Sequence, residues 1–372
     1  MKKKIIAITA NTSWYIYNFR RNTILTLIEQ GYEVIACAPL DKYSSYIEKL
    51  GCVHVPLIMD QNGKNPLKDL LTLFCFYKVF KKYKVDVVLN FTPKNNIYAT
   101  IVAKLLNIKV INNIAGLGTA FSSKNFLNLV AINLYKYSQK KADFIFFQNK
   151  EDAIIFKSFG INESNTDILP GSGVDLRRFN VCPVHTDNVV RFALVARMLV
   201  DKGVMQYIEC AENLKSKYGN RVEFLLVGFL DDNNPRAVHS SIIEKWTNKD
   251  IVKYLGVSDS IEDIVSNVDC VVLPSFYREG VPKSLLEAAA MGRPLITTDS
   301  IGCKETVINN VTGYLCEPRS VSDLCAKMEK IISMSKEDKV KMGLAGRQYI
   351  ERNFDERIVV DKYLNVISDF FE

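Results

Sequence analysis

Histidine is scarce in this chain of 372 residues. Only three are present, at positions 54, 185 and 239, and they are too scattered to form a zinc site. None of the nine cysteines forms a CxxC pair, and several lie in apolar runs such as DCVVLPS. These spacings favour buried free thiols in a reducing cytosol over disulfides or metal ligands.

Long apolar runs are also missing. No stretch of about 18 uncharged apolar residues is present, so we expect no membrane-spanning helix. The opening MKKKIIAITANTSWY resembles a signal peptide only superficially, because its apolar run is short and no small-residue cleavage site follows. The composition, with 48% hydrophobic and 24% charged residues, is that of a globular protein, and at this length two domains are expected.

The charge is distributed unevenly. Residues 1–180 carry 24 basic and 13 acidic side chains, a net charge of +11, whereas the remainder carries 24 and 28, a net charge of −4. A basic first half predicts an anionic partner, and nucleic acid and a membrane surface both fit. Lysines that are merely solvated remain the alternative.

Short β-rich runs alternate with helical patterns along the chain. KIIAITA, YEVIACAP, VDVVLN, KVINNIA and DFIFFQN read as buried strands of a parallel sheet. A polar segment near 175–188 interrupts the pattern, which restarts with RFALVAR, VEFLLVG, DIVKYLG, DCVVLPS and PLITTDS. We therefore predict an α/β protein with two doubly wound parallel-sheet domains facing across a cleft, at about 1–180 and 188–354. A C-terminal helix at about 355–372 is expected to pack back on the first domain.

The stretch PSFYREGVPKSLLEAAAMGRPLITTDS holds two acids, Glu279 and Glu287, with seven residues between them. Glu279 follows a strand in a Gly/Pro-rich loop, and Glu287 lies in a predicted helix. The amides from about Val281 to Ser284 would form a helix N-terminus that attracts phosphate. Two structural alternatives stay open: Ser284 and Glu287 match a capping box, and Glu279 could be a plain loop acid.

A second element, VARMLVDKG, places Arg197 at the end of a strand and Lys202 in the turn that follows. A guanidinium and an ammonium at the same sheet edge suit a diphosphate. A surface arginine and a helix-start lysine would be the structural explanation for an isolated pair. Together with the two acids and the helix N-terminus, the pair favours a ligand site.

These elements, with VTGYLCEP and ILPGSGVDLRRF, resemble the retaining GT-B glycosyltransferases of family four over essentially the whole chain. The resemblance implies a nucleotide-sugar donor held by the second domain, with Arg197 and Lys202 on its diphosphate. Glu287 would bind the ribose hydroxyls and Glu279 the donor sugar, so Arg197, Lys202 and Glu279 are the implied catalytic residues. The implied donor site is completed by further residues of the same domain: Gly256 and Val257 at the base, and Gly280, Val281, Pro282 and Ser284 at sugar and phosphate.

The first domain departs from the common family pattern. The first strand-to-helix loop, ANTSWYIYNFR, has no glycine, and NFTPKNNIYA has Pro93 and Lys94 where many relatives have a histidine. With NNIAGLGTAF, this segment resembles a subgroup that builds bacterial surface polysaccharides, including O-antigen, on polyprenyl-diphosphate lipids and includes N-acetylgalactosaminyltransferases. Asn18, Lys94, Gly116 and Gly118 are therefore the candidate acceptor-side residues.

The implied reaction is transfer of a sugar from a UDP-sugar with retention, best matched by an N-acetylhexosamine such as GalNAc. The leaving diphosphate would itself accept the proton, Arg197 and Lys202 would stabilise its charge, and no metal or other cofactor is required. Asp231 and Asp232 do not form a DxD metal motif. Alternatives are a non-transferring relative such as a nucleotide-sugar epimerase, or a catalytically silent binding protein.

Two basic amphipathic segments could lie on an anionic membrane, with the protein cytoplasmic and peripheral on the inner face of the cell membrane. Residues 65–84 combine apolar residues such as Phe74, Phe76 and Phe80 with basic ones at Lys78, Lys81, Lys82 and Lys84, and residues 123–141 are similar. Ordinary packing helices of a doubly wound domain are the alternative. We expect no nucleic-acid partner.

Overall fold

The computed structural model describes residues 3–59, 66–116, 126–183 and 187–372. Within them the chain divides into two compact units. The first comprises Met1–Ser172 with Arg357–Glu372, and the second comprises Gly173–Glu356.

The first unit is built on a seven-stranded sheet with all neighbours parallel and the order β3-β2-β1-β4-β5-β6-β7. Its strands are β1 (Ile5–Thr9), β2 (Glu33–Ala38), β3 (Val53–Pro56), β4 (Val87–Asn90), β5 (Lys109–Ile114), β6 (Phe144–Phe147) and β7 (Thr166–Ile168). The order reverses between β1 and β4, the arrangement of a doubly wound fold.

The second unit repeats the plan with six parallel strands in the order β10-β9-β8-β11-β12-β13. They are β8 (Val190–Val195), β9 (Val222–Val227), β10 (Lys253–Tyr254), β11 (Cys270–Leu273), β12 (Leu295–Thr298) and β13 (Gly313–Cys316). Here the order reverses between β8 and β11. The predicted fold class of two doubly wound parallel sheets is thus confirmed.

The helices follow the strands as crossover connections. In the first unit they are α1 (Ser13–Glu29), α2 (Ser44–Glu48), α3 (Pro66–Tyr83), α4 (Pro93–Leu105), α5 (Phe126–Lys141) and α6 (Lys150–Ser158). In the second they are α7 (Val204–Tyr218), α8 (Ser240–Asn248), α9 (Ile261–Ser266), α10 (Lys283–Ala290), α11 (Val321–Ser333) and α12 (Lys336–Asn353). The last helix is α13 (Glu356–Asp369).

Each sheet is covered on both faces, which explains why its central strands are almost continuously apolar. All four residues of β4 and all four of β11 are buried. In the second unit, one core contains Phe192 and Phe224 and another contains Leu285 and Leu286. Burial on both sides is what the unbroken Val/Ile/Phe runs predict for a parallel sheet.

The chain passes between the units at two adjacent points. Val174 donates its amide to the carbonyl of Phe354 at 2.9 Å and accepts from Glu356 at 3.2 Å. Residues 173–180, which we expected in the first domain, belong to the second unit, because Val174 and Phe179 pack in its core.

Helix α13 packs on the first unit. Val359, Tyr363 and Ile367 are buried in the core that contains β1 and β4. The Tyr363 hydroxyl donates a hydrogen bond of 2.5 Å to the Asn113 side chain.

No helix among the described residues is long and apolar enough to cross a membrane. All nine cysteines are free thiols, and six of them are buried. Burial raises the pKa of the Cys52 and Cys316 thiols to about 12, so both stay protonated at neutral pH.

Candidate functional site

The topology explains why distant motifs meet in the second unit. Strands β8 and β11 are hydrogen-bonded neighbours on either side of the point where strand order reverses. The chain that leaves β8 carries Arg197 and Lys202, and the chain that leaves β11 carries Glu279. Because parallel strands end at the same sheet edge, these side chains come from adjacent loops at the position where doubly wound sheets bind ligands.

Lys202 and Glu279 form an ion pair at this edge. The Glu279 carboxylate also accepts a hydrogen bond of 2.9 Å from the Ser275 hydroxyl. The two charged side chains are only 13% and 11% exposed, so their attraction is weakly screened. The structure thus brings together two of the predicted catalytic residues.

The turn that presents Lys202 is pressed against the loop that carries Glu279. It is a 3₁₀ turn, Val200–Lys202, ended by Gly203 at a φ of +76°. A Cβ at Gly203 would collide with the carbonyl of Pro274, so only glycine allows this approach. The Asp201 carbonyl then accepts from the amides of Phe276 at 3.0 Å and Tyr277 at 3.2 Å.

Arg197 lies two residues beyond the end of β8 rather than within the strand. Its side chain is exposed and takes part in no ion pair among the described residues. Its guanidinium is therefore available to an anion at the same edge. The structure does not bring Arg197 into contact with the Lys202–Glu279 pair.

Helix α10 begins at Lys283, and its N-cap is Pro282, which supplies no side-chain hydrogen bond. Ser284 is therefore already inside the helix, and the capping-box alternative for Ser284 and Glu287 is wrong. Gly280, Val281 and Pro282 form the approach to the helix. Gly302 packs directly against this segment, since a Cβ at position 302 would collide with the carbonyl of Gly280.

Glu287 lies one turn into α10 with its side chain 13% exposed. In the part of the chain that the structure describes, its carboxylate accepts no hydrogen bond, and its ion-pair partner is Lys283 at 3.9 Å. Burial raises the pKa of Glu287, and the positive charges of Lys283 and Arg178 oppose that shift only in part. The described residues therefore provide no hydrogen-bond donor to this carboxylate.

The predicted base-binding residues follow β10 at the same edge. Gly256 has a φ of +71°, and its carbonyl accepts a hydrogen bond of 2.8 Å from the Gly228 amide. Nothing lies within 4 Å of a Cβ built on Gly256, so open space adjoins it. The Val257 side chain is 57% exposed and offers an apolar surface.

Sequence patterns did not reveal several residues that shape this edge. Ser275 orients Glu279, and Asp201 forms an ion pair of 2.8 Å with Arg236. The Tyr277 ring lies 5.6 Å from the Lys202 ammonium and 5.5 Å from the Arg236 guanidinium. A serine four residues before Glu279 was a usable signal, but Arg236 comes from a loop that carries no motif.

The three described acceptor-side candidates come from different segments of the first unit. Asn18 is in α1 and donates to the carbonyl of Trp14 at 3.0 Å, within its own helix. Lys94 is in the first turn of α4 and pairs with Asp69 at 2.7 Å. Gly116 follows β5 with a φ of +104°, whereas Gly118 lies outside the described residues.

Asp231 and Asp232 have local structural partners. Asp232 accepts from the amide of Ser240 at 2.8 Å and from its hydroxyl at 2.6 Å, at the start of α8. Over the described ranges, no group of three or more His, Cys, Asp or Glu side chains is arranged to hold a metal ion. A metal-independent reaction stays a prediction.

Two family models match the chain and together span most of it. The model described as glycosyl transferases group 1 matches residues 184–349, and the model described as glycosyl transferase 4-like matches residues 4–149. Solved glycosyltransferases share the fold: one from Rickettsia africae, with a TM-score of 0.79 and 19% identity, covers 100% of both chains. Anabaena HepE in complex with UDP and glucose has a TM-score of 0.80 at 15% identity over 98% of this chain and 100% of that one.

Curated relatives agree with these matches. The chain is 29% identical to N,N'-diacetylbacillosaminyl-diphospho-undecaprenol alpha-1,3-N-acetylgalactosaminyltransferase of Campylobacter jejuni, over 94% of this chain and 95% of that one. It is 25% identical to UDP-Gal:alpha-D-GlcNAc-diphosphoundecaprenol alpha-1,3-galactosyltransferase of Escherichia coli, over 71% of each.

The fold and the matches define an enzyme of the GT-B glycosyltransferase class. The chain belongs to the group 1, family-four-like glycosyltransferases, as its motifs predicted. The prediction of a hexosyltransferase is confirmed, and transfer is favoured over the epimerase and silent-binder alternatives.

Proposed function

We propose that this enzyme transfers a hexose, best matched by an N-acetylhexosamine such as GalNAc, from a UDP-sugar to a polyprenyl-diphosphate-linked saccharide. The observation that carries the donor half is the Glu287 carboxylate, which is largely buried and accepts no hydrogen bond from the described residues. A buried carboxylate without donors is costly, and a ligand with two adjacent hydroxyls would satisfy it. The ribose of a nucleotide is such a ligand.

The remaining donor contacts follow from the same edge. Arg197 and Lys202 would hold the diphosphate, and the first turn of α10, with Ser284, would face it with helix amides. Glu279, held by Ser275, would bind the donor sugar beside the Gly280–Pro282 backbone. Gly256 and Val257 would border the base in the open space beyond β10.

The proposed chemistry is front-face transfer with retention of configuration. The acceptor hydroxyl attacks the anomeric carbon while the bond to the UDP oxygen breaks, and the leaving diphosphate takes the acceptor proton. Arg197 and Lys202 stabilise the charge that grows on that diphosphate, which is the electrostatic mode of catalysis. The step needs no metal or other cofactor.

The acceptor half of the proposal rests on the relatives. The Campylobacter jejuni enzyme and the Escherichia coli enzyme are both named for acceptors that carry diphospho-undecaprenol. The first matches this chain over nearly its whole length, which supports the same acceptor class here. Asn18, Lys94, Gly116 and Gly118 remain the proposed acceptor-side residues, in assembly of a capsular, O-antigen or related glycan.

Such an acceptor would place the enzyme at the inner face of the cell membrane, and α3 offers a surface for it. Leu70 is 63% exposed, and Leu71 and Phe74 are each 53% exposed, on one side of this helix. Lys78 follows them, with its ammonium 4.4 Å from the Phe74 ring centroid. This exposed apolar stripe with a basic end favours peripheral contact with anionic lipid.

Two of the apolar residues that we expected to contribute to this surface do not. Phe76 and Phe80 are buried in the core of the first unit. The exposed side of α3 instead uses the residues nearer its N-terminus. Helix α5 has exposed Tyr137 as well, at 56%.

The test is release of UDP from a panel of UDP-sugars, with and without a lipid-linked saccharide. We expect one UDP-sugar to give UDP at a rate that the acceptor raises, with a saccharide product of α linkage. An epimerase or a silent binder would release no acceptor-dependent UDP. That result for every sugar in the panel would refute the proposed function.

A further inference from the structure

The first unit has a switch point of its own. Strands β1 and β4 are neighbours where strand order reverses, and the Thr9 hydroxyl donates to the Asn90 side chain at 2.6 Å where both strands end. Helix α4 begins three residues later, at Pro93. Doubly wound sheets bind ligands at such positions, so the first turn of α4 is well placed for one.

This turn is capped in an unusual way. Thr92 is the N-cap of α4, yet no helix amide donates to its side chain. The hydroxyl instead donates to the Asn95 Oδ1 at 2.7 Å, which folds the Asn95 side chain back onto the N-cap. The Asn95 Nδ2 therefore lies at the helix N-terminus, where it is fully buried and, in the described parts of the chain, has no acceptor.

An unpaired buried amide donor costs free energy that a ligand with acceptor atoms would recover. The positive end of the α4 dipole at the same place favours an anionic ligand.

The protein already holds a carboxylate beside this turn. Asp69 accepts from the Lys94 ammonium at 2.7 Å, and its negative charge adds to burial in raising the pKa of the Tyr98 hydroxyl. Lys94 and Tyr98 are one turn apart on α4, so both side chains lie on the side of the helix that faces Asp69. Asp69 thus shows that an anionic group is accepted at this position.

Asp69 also connects the turn to the exposed side of α3. It lies in the first turn of that helix and directly precedes Leu70 and Leu71, whose side chains are exposed. The anion position therefore adjoins the surface proposed to contact lipid.

We propose that the first turn of α4 binds the diphosphate of the lipid-linked acceptor, with Lys94 exchanging Asp69 for a phosphate oxygen and Asn95 donating to another. This inference rests on the proposed function, because it names the subsite for that acceptor. No covalent step is involved. Asp69 acts as an internal competitor that neutralises Lys94 until the acceptor arrives.

The experiment compares two acceptors that carry the same saccharide, one as a lipid diphosphate and one as a neutral alkyl glycoside. Lys94→Gln should raise KM for the diphosphate acceptor about tenfold or more, because a hydrogen bond to a charged group is lost. It should leave KM for the neutral acceptor unchanged. Asp69→Asn should act in the opposite direction and lower KM for the diphosphate acceptor about two- to fivefold.

Lys104→Gln is the matched control, since Lys104 lies at the other end of α4 and pairs with Asp143 at 2.5 Å. It should change neither KM. The inference is overturned if Lys94→Gln raises both KM values alike, or if Asp69→Asn changes KM in the same direction as Lys94→Gln. Either result would mean that the pair only holds α3 against α4.

Two further measurements distinguish this inference from a role of the same turn in donor binding and from failure of the proposed function. UDP affinity, measured by calorimetric titration, should be the same in wild type and Lys94→Gln; a loss would assign the turn to the donor diphosphate instead. If the wild type uses neither acceptor, the proposed function fails, and titration with inorganic diphosphate still decides the subsite. Binding that Lys94→Gln weakens about tenfold supports the subsite, and unchanged binding rejects it.

Discussion

Replacing Glu279 should distinguish the part of the donor site that binds UDP from the part that binds the donor sugar. In the structure Glu279 neutralises Lys202, and both side chains are largely buried. Glu279→Gln keeps the shape and an acceptor for the Ser275 hydroxyl but removes the negative charge. We expect UDP to bind as tightly as before or more tightly, while turnover of the UDP-sugar collapses.

The magnitudes follow from the burial of the pair. Removing one partner of a buried ion pair typically costs about 3–5 kcal/mol in folding free energy, since the other charge is left alone. Part of that cost returns when a diphosphate takes the place of Glu279 beside Lys202. Recovery of about 1.4 kcal/mol would tighten UDP binding tenfold. Loss of the sugar contact should lower turnover about 10²–10³-fold.

The assay is calorimetric titration of UDP into wild type, Glu279→Gln and Glu287→Gln, with turnover of the UDP-sugar measured in parallel. Glu287→Gln is the counterpart, because its proposed partner is the ribose, and it should weaken UDP and UDP-sugar alike. Melting temperatures with and without UDP report whether each variant is folded. Equal losses of UDP affinity in the two variants would show that the roles have been divided wrongly.

Three other outcomes are expected. Arg197→Ala and Lys202→Ala should each lower turnover about 10²–10³-fold. Only Lys202→Ala should lower the melting temperature, because it leaves the buried Glu279 carboxylate without its ion-pair partner. Near-normal turnover in both variants would refute the diphosphate assignment. Glu287→Gln should be more stable than wild type at neutral pH, because burial raises the pKa of Glu287 in the folded state. The folded wild type therefore loses stability as the pH rises from the ordinary glutamate pKa to the raised pKa of Glu287. The gain measured by urea unfolding should vanish at pH values below the ordinary glutamate pKa, and a gain that does not depend on pH would contradict the argument. Replacing Lys78, Lys81, Lys82 and Lys84 by Gln should weaken binding to anionic vesicles by about 1 kcal/mol for each lysine that contacts lipid, and high salt should weaken it as well. Activity on a soluble acceptor should stay unchanged. Vesicle binding that responds neither to the substitutions nor to salt would refute a lipid role for these lysines.

The fold and the donor side were predictable because their signals are local. Unbroken apolar runs such as CVVL require burial on both faces, and parallel sheets place all strand ends at one edge. Glu279 and Glu287 are close in sequence, so a strand, a loop and a helix suffice to position both. Three strands were not predicted: β3, β7 and β13 lie at the edges of their sheets, and no predicted strand covered them.

The partners of the motif residues were not predictable, because they depend on packing between loops far apart in sequence. Nothing around Lys202 indicates that its ammonium pairs with Glu279, 77 residues later. The capping-box pattern at Ser284 was misleading for a local reason instead. Pro282 starts the helix two residues earlier, since a proline is favoured at the beginning of a helix and cannot lie in its middle.

The two acids of α10 and its preceding loop differ in a way that bears on the order of events. Glu279 has its counter-charge in Lys202 and a hydroxyl donor in Ser275, whereas Glu287 has only an ammonium at 3.9 Å. On the proposed assignment, a nucleotide gains its ribose contacts at Glu287 without displacing anything. The donor sugar can bind Glu279 only when Lys202 turns away, and the diphosphate is the group that would draw Lys202 away. Binding of the diphosphate and binding of the sugar would therefore be coupled. The diphosphate draws Lys202 away from Glu279, which frees Glu279 for the sugar, and the sugar in turn keeps Glu279 from re-pairing with Lys202.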